Sequence, residues 1–196
     1  MNPIFCDKYK MGEMMLNNDL EKQYIPKELY ASLIDFGWDK GIEAADLVKE
    51  RWGDNPPSWI AKKCGVVLDD VTGKGKRHFS EYSTNQRLIT LYQDVIKKEF
   101  IEKEKNHLKT DDYKRIREIF IAHELFHFME STDERIGYLF QQRKVEMFRL
   151  GPFVRRVGLH SLSEIGAHSF TNHILDLKQF IILPKPSEGN NVKYDN

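Results

Sequence analysis

Apolar and polar positions recur along this chain with two different periods, and each change of period marks a change of element. Residues 27–36 and 40–51 show helical spacing, with Ile42, Ala45, Leu47 and Val48 on one apolar stripe. In "NPPSWIAKKCGVVLDD", Pro56 and Pro57 open a short helix, Gly65 stops it, and residues 66–69 read as a strand. Residues 77–82 and 87–92 read as two further strands around a polar "STNQ" turn, which completes a small sheet. Thr110 is placed to cap a helix running to about residue 130, with Asp111 and Asp112 in its first turn against the helix dipole. From Ile119 to Met129 that helix is apolar on nearly every side, the pattern of a buried central helix. Residues 138–148 are compatible with a helix, "GPFVRRVG" with a turn or hairpin, and residues 162–177 with a last helix that cannot continue through Pro184. The expected class is α+β, rich in helix, with a small three-stranded sheet packed on the helix of residues 110–130.

Composition narrows the setting. With 196 residues, 40% hydrophobic and 31% charged, the chain suits one globular domain, expected over residues 1–183. The Pro, Gly, Ser and Asn content of residues 184–196 predicts a flexible tail, and the charge run of residues 97–112 a solvated face or linker. Thirty basic and thirty acidic residues cancel, so no bulk field favours nucleic acid or an anionic membrane. Cys6 and Cys64 form no ligand-like pair, and no run approaches the length of a membrane span. A cytoplasmic protein with neither nucleic acid nor membrane as partner is the expectation; nothing in the pattern sets its oligomeric state.

The apolar helix carries its own exception. Within "REIFIAHELFHFMES" stand His123, Glu124 and His127, ionisable groups whose burial without partners costs several kcal/mol each. The two histidines are four residues apart and share one helix face, so they can share one ion. Glu124 is displaced by about 100° round the axis, where its carboxylate can take a proton from water held at that ion. This is the His-Glu-x-x-His arrangement of zinc peptidases, with two neutral imidazoles as ligands and the glutamate as general base. The competing reading is a pair of buried histidines, each satisfied by backbone or a carboxylate.

A catalytic zinc site takes a third protein ligand. Asp133 falls at the position used when the chain turns back at once, but that turn relies on a glycine where this chain has Glu130. Glu164 suits better: it lies thirty-seven residues beyond His127 (164 − 127), on the last helix, with His168 one turn later to support the site or to serve as an alternative ligand. Against this, Ser161 and Glu164 also spell a capping box, in which the glutamate only satisfies a backbone N–H. His160, His173 and Tyr138 are further polar side chains with the chemistry to stabilise a reacting carbonyl.

Four stretches in order, "PSWIAKKCGVVLDD", "RLITLY", "IAHELFHFME" and "SEIGAHSFTNHILDL", resemble the ImmA/IrrE family of metallopeptidases, zincins with a glutamate as third ligand. The resemblance spans residues 57–177. It implies a zincin-like fold, Zn2+ held by His123, His127 and Glu164, Glu124 as catalytic base, and cleavage of a regulatory protein such as a helix-turn-helix transcriptional repressor. Phe126 stands where the family commonly has Gly, Glu130 and Ser131 replace a usual Leu-His, and His168 stands where Asn is usual. The expected function is therefore a zinc endopeptidase. The alternative is a non-catalytic zincin-fold module that captures a regulator through a structural or degenerate metal site; a metal-free helical interaction protein is a third reading.

Overall fold

The computed structural model describes residues 7–73, 76, 78–98 and 110–177, without the side chains of residues 110–112. Cys6, the cap expected from Thr110, the tail of residues 184–196 and most of the charge run of residues 97–112 lie outside that description.

In chain order the elements are α1 (Lys8–Asn18), two single 3-10 turns (Lys22–Tyr24 and Lys27–Leu29), α2 (Tyr30–Trp52), α3 (Pro57–Lys63), β1 (Val67–Val71), β2 (Ser80–Ser83), β3 (Leu88–Tyr92), α4 (Gln93–Ile96), α5 (Thr110–Thr132), α6 (Leu139–Gln142), β4 (Lys144–Leu150), β5 (Phe153–Gly158) and α7 (His160–Ile174). The fold is α+β and helix-rich, with a small three-stranded sheet in the order β1-β3-β2. β3 pairs parallel with β1 and antiparallel with β2, which leaves β2 at an edge. No described helix is long and apolar enough to cross a membrane.

Two buried helices make the centre. α5 presents one face to the sheet, where Phe120 meets Phe79 at 5.0 Å between ring centroids and Phe128 meets Tyr82 at 5.9 Å. Polar ties fix its position: Arg117 clamps Asp70 of β1 through Nη2 at 2.7 Å and Nε at 3.0 Å, and Glu118 accepts the Ser58 N–H at 2.8 Å in the first turn of α3. That last contact places a carboxylate at a helix N-terminus, where the dipole favours it. On another side α5 meets α7 through Phe126 and Phe170, both fully buried.

α7 in turn lies along α2. Residues 27–36 and 40–51 belong not to two helices but to one 3-10 turn followed by the single helix Tyr30–Trp52. Gly37 and Gly41 do not interrupt it because they serve a close approach. A Cβ at Gly41 would lie 2.3 Å from the Gly166 carbonyl oxygen, and one at Gly37 would lie 3.1 Å from the Leu162 oxygen. Their lost helix propensity, about 1 kcal/mol each, is offset by the packing of two backbones that no side chain separates.

Residues 138–148, expected to suit a helix, contain only the one turn of α6 before the chain extends into β4. Residues 151–158, expected as a turn or hairpin, supply the reason: they form the turn and the strand β5, which gives β4 an antiparallel partner from Lys144↔Gly158 to Leu150↔Phe153. Gly151 takes the positive φ (56°) that so short a turn favours. The hairpin root packs tightly, since a Cβ on Gly158 would lie 2.0 Å from the Phe140 carbonyl oxygen. α1 and this second, two-stranded sheet were not expected from the pattern.

Replacing Gly41 with Ala should force α2 and α7 apart and cost about 1–3 kcal/mol, the usual range for overpacking. Urea unfolding measures it; a variant with an unchanged midpoint would contradict the backbone contact.

Candidate metal centre

The seam between α5 and α7 is where the unusual residues of both helices meet. His123, His127 and Glu130 recur at four and three residues along one stripe of α5. On α7, Ser161 to Asn172 are all buried except Glu164. That one exception reaches the surface with 49% of its side chain exposed, and it turns its carboxylate to the histidines. Glu164 Oε2 lies 3.4 Å from His123 Nε2, and Oε1 lies 3.5 Å from His127 Nε2.

Those distances bear on what the three groups are for. A charge-assisted N–H to carboxylate bond is about 2.7–2.9 Å long, and both contacts here are longer. Donors held about 2.0–2.2 Å from a tetrahedral ion sit about 3.3–3.6 Å apart, which matches both separations. Among the described residues, His123, His127 and Glu164 form a group whose ligand atoms all lie within 4.8 Å of one another. The chemistry of the set agrees, since two imidazoles and a carboxylate suit a first-row divalent cation. These residues could hold a metal ion.

The capping-box reading of Glu164 does not describe this geometry. The N-cap of α7 is Leu159, with no side-chain cap, and the Ser161 N–H is taken instead by Asp19 Oδ2 at 2.8 Å from the end of α1. With the helix start satisfied from outside, the Glu164 carboxylate is released to face the imidazoles.

The other expected residues are placed as follows. Glu124 faces the sheet side of α5, buried, and its Oε1 accepts the Ser80 hydroxyl of β2 at 2.7 Å. His168 is buried beside the group, its ring 5.1 Å from that of His123, but it is not a member. Asp133 is not a member either: Arg135 engages both its oxygens at 2.9 and 2.6 Å and holds its carboxyl below the usual range. The chain past α5 turns through Asp133 itself, whose carbonyl accepts from Ile136 and Gly137, and so points its side chain to Arg135. His160 stacks on Phe140, Tyr138 also lies against Phe140, and His173 pairs with Asp46 at 2.8 Å. His173 is nine residues beyond Glu164, about 14 Å along the helix.

Sequence reasoning missed two partners. Ser80 carried no signal, because only the fold brings an edge strand to Glu124. Glu130 did carry one: it follows His127 by three residues, the spacing of side chains that meet on a helix. Its Oε2 lies 3.1 Å from His127 Nδ1, and its Oε1 accepts from the Leu139 N–H at 2.9 Å and the Ser163 hydroxyl at 2.8 Å.

Electrostatics follows from this crowding of acids. Burial by itself pushes the His127 imidazolium down, but the Glu130 hydrogen bond and the charges of Glu164, Glu124 and Glu130 outweigh it and raise its pKa to about 9. Burial likewise pushes the Glu164 carboxyl up, and the His123 contact with the charges of His123, His127 and His168 overrides it, holding Glu164 well below the usual carboxylate range.

A cation entering the group must displace the His127 proton, so binding should release protons and tighten as pH rises toward about 9. Calorimetry in buffers of different ionisation enthalpy measures the release; affinity independent of pH between about 6.5 and 9 would contradict it. In chelator-stripped protein the raised pKa favours the fold fully below about pH 6.5, the unfolded value, and that contribution is lost as pH rises through about 9. An ion at about 100 times its dissociation constant should add about 2.7 kcal/mol of stability, an increment that His123→Ala and Glu164→Ala should each greatly reduce.

Compared with family models, curated proteins and solved structures, the chain has no match in any of the three.

Proposed function

We propose that the protein is a zinc-dependent endopeptidase acting on a regulatory protein, of which a helix-turn-helix repressor is the expected kind. The observation that carries this reading is the convergence of His123, His127 and Glu164, from two helices, with Glu124 next to one of the ligands in the chain. Zinc is the ion that two imidazoles and one carboxylate suit, with the fourth position left for chemistry. The resemblance of residues 57–177 to the ImmA/IrrE metallopeptidases supports the same assignment of the four residues.

When bound, the ion supplies a Lewis acid that acidifies water and polarises a carbonyl. The chain supplies the rest. His123, His127 and Glu164 hold the ion from the α5–α7 seam, and the exposure of Glu164 leaves one side accessible to a polypeptide. Glu124 is the proton carrier: it takes a proton from water as the oxygen adds to the scissile carbonyl carbon. It returns that proton to the nitrogen as the C–N bond breaks. Ser80 binds Oε1 of this carboxylate at 2.7 Å, which fixes its orientation and leaves Oε2 to carry the proton.

The alternative, a module that captures a regulator without cleaving it, calls for a closed structural site. The exposed Glu164 and a donor group that includes neither Asp133 nor His168 favour the open arrangement of a catalytic site.

Glu124→Gln should retain zinc and lose at least 99% of peptidase activity, consistent with a general base contributing about 10²–10⁴-fold. The measurement is cleavage of candidate repressors by mass spectrometry, alongside metal content. A variant that still cleaves would remove Glu124 from the mechanism, and wild-type protein that binds a repressor intact would favour the capture module.

A further inference from the structure

The carboxylate of Glu130 has three hydrogen-bond partners in the seam and no part in the reaction above. It is 4% exposed and lies one turn after His127 on α5. Three segments converge on it: His127 at Oε2, and at Oε1 both the Leu139 N–H, from the start of α6, and the Ser163 hydroxyl, from the residue before Glu164. An ionised carboxylate can only accept, so the hydrogen between Oε2 and His127 belongs to Nδ1. In the neutral ring the lone pair then sits on Nε2, the nitrogen that faces Glu164. The other imidazole has no such support, because His123 Nδ1 is buried with no hydrogen-bond partner among the described residues. The two imidazoles are therefore held unequally, and only His127 has an acid hydrogen-bonded at its Nδ1 among the described residues.

We propose that Glu130 is the positioning residue of this centre, fixing the His127 tautomer and, through Ser163, the approach of Glu164. The proposal rests on the metal-site reading and concerns a position where this chain departs from the family it resembles. The device is the carboxylate–histidine–metal relay, whose outer member typically contributes 10–100-fold to metal affinity.

Glu130→Gln separates this role from a purely structural one. The amide oxygen can still accept from Leu139 and Ser163, so the ties between α5, α6 and α7 remain. Its NH2 group, however, must face His127 Nδ1, where it donates and drives the ring hydrogen onto Nε2. Ser163→Ala does the reverse, removing one tie between α5 and α7 and leaving the His127 contact in place. The experiment is competition for Zn2+ and Co2+ against a chromophoric chelator, with circular dichroism melting curves on the same samples.

The expected result is a loss of affinity of about 10–100-fold in Glu130→Gln with a retained melting transition, and a smaller loss in Ser163→Ala. Wild-type affinity in folded Glu130→Gln would overturn the proposal, as would a larger loss in Ser163→Ala than in Glu130→Gln. Wild-type protein that binds neither ion would overturn the metal-site reading itself, and this proposal with it. Glu130→Ala serves as a second variant: it removes both roles, so a folded protein with unchanged affinity would again be decisive against the assignment.

Discussion

The carboxylates of Glu130 and Glu164 flank two imidazoles at the seam of α5 and α7, Glu124 adds its charge from the sheet side of α5, and the fold has to compensate that negative charge. Uncompensated burial of like charges costs several kcal/mol. In the protein alone, the compensation is a proton on His127, whose pKa rises to about 9 despite a burial that pushes the other way. A divalent cation would meet the same need with more charge and without a hydrogen to place. The acids that make the imidazole basic are thus the same groups that make the site attractive to a metal. Proton and cation would compete for one set of lone pairs.

The scaffold around the seam serves that compensation. α7 is covered on almost every side, and such a helix has little freedom to turn Glu164 away from α5. Gly37 and Gly41 let α2 press on α7 from behind, while Phe126 and Phe170 fill the space between α5 and α7. Asp19 accepts the Ser161 N–H across 142 residues of sequence. These contacts are individually ordinary, yet each acts on the distance between the imidazole pair and the remote carboxylate. Affinity for an ion at this group would consequently be linked to packing, as it is wherever a ligand set is assembled by tertiary structure.

Legibility in the sequence followed the range of the interaction. The helical character of residues 119–129, the strand before the STNQ turn and the one after it, and the turn that opens residues 151–158 rest on local periodicity and turn chemistry, and the structure contains them. The unbroken course of α2 through Gly37 was not legible, since a glycine read locally is a weak point and its use is set by a partner 125 residues away (162 − 37). β4 was obscured for the same reason, because its residues extend only once β5 is there to pair with them. At the site, His123, Glu124 and His127 could be read from spacing alone. Glu164 needed the additional premise that two ligands require a third, and its rival reading as a cap was removed by Asp19, a contact no local pattern contains.

Glu130 marks where local reasoning stopped too soon. Seen as the residue occupying a glycine position, it argues only against an immediate turn toward Asp133. Seen three residues after a candidate ligand histidine, it is an acid on the same stripe, and a buried acid there has one obvious hydrogen to accept. Both readings follow from the same position and agree with each other. With Glu130 in place of a turning glycine, α5 continues to Thr132, and the carboxylate that faces the imidazoles comes from α7. The Glu130 side chain then binds Ser163 and holds the distant helix in place. One side chain thus sits where α5 continues to Thr132 and also ties α7 to it.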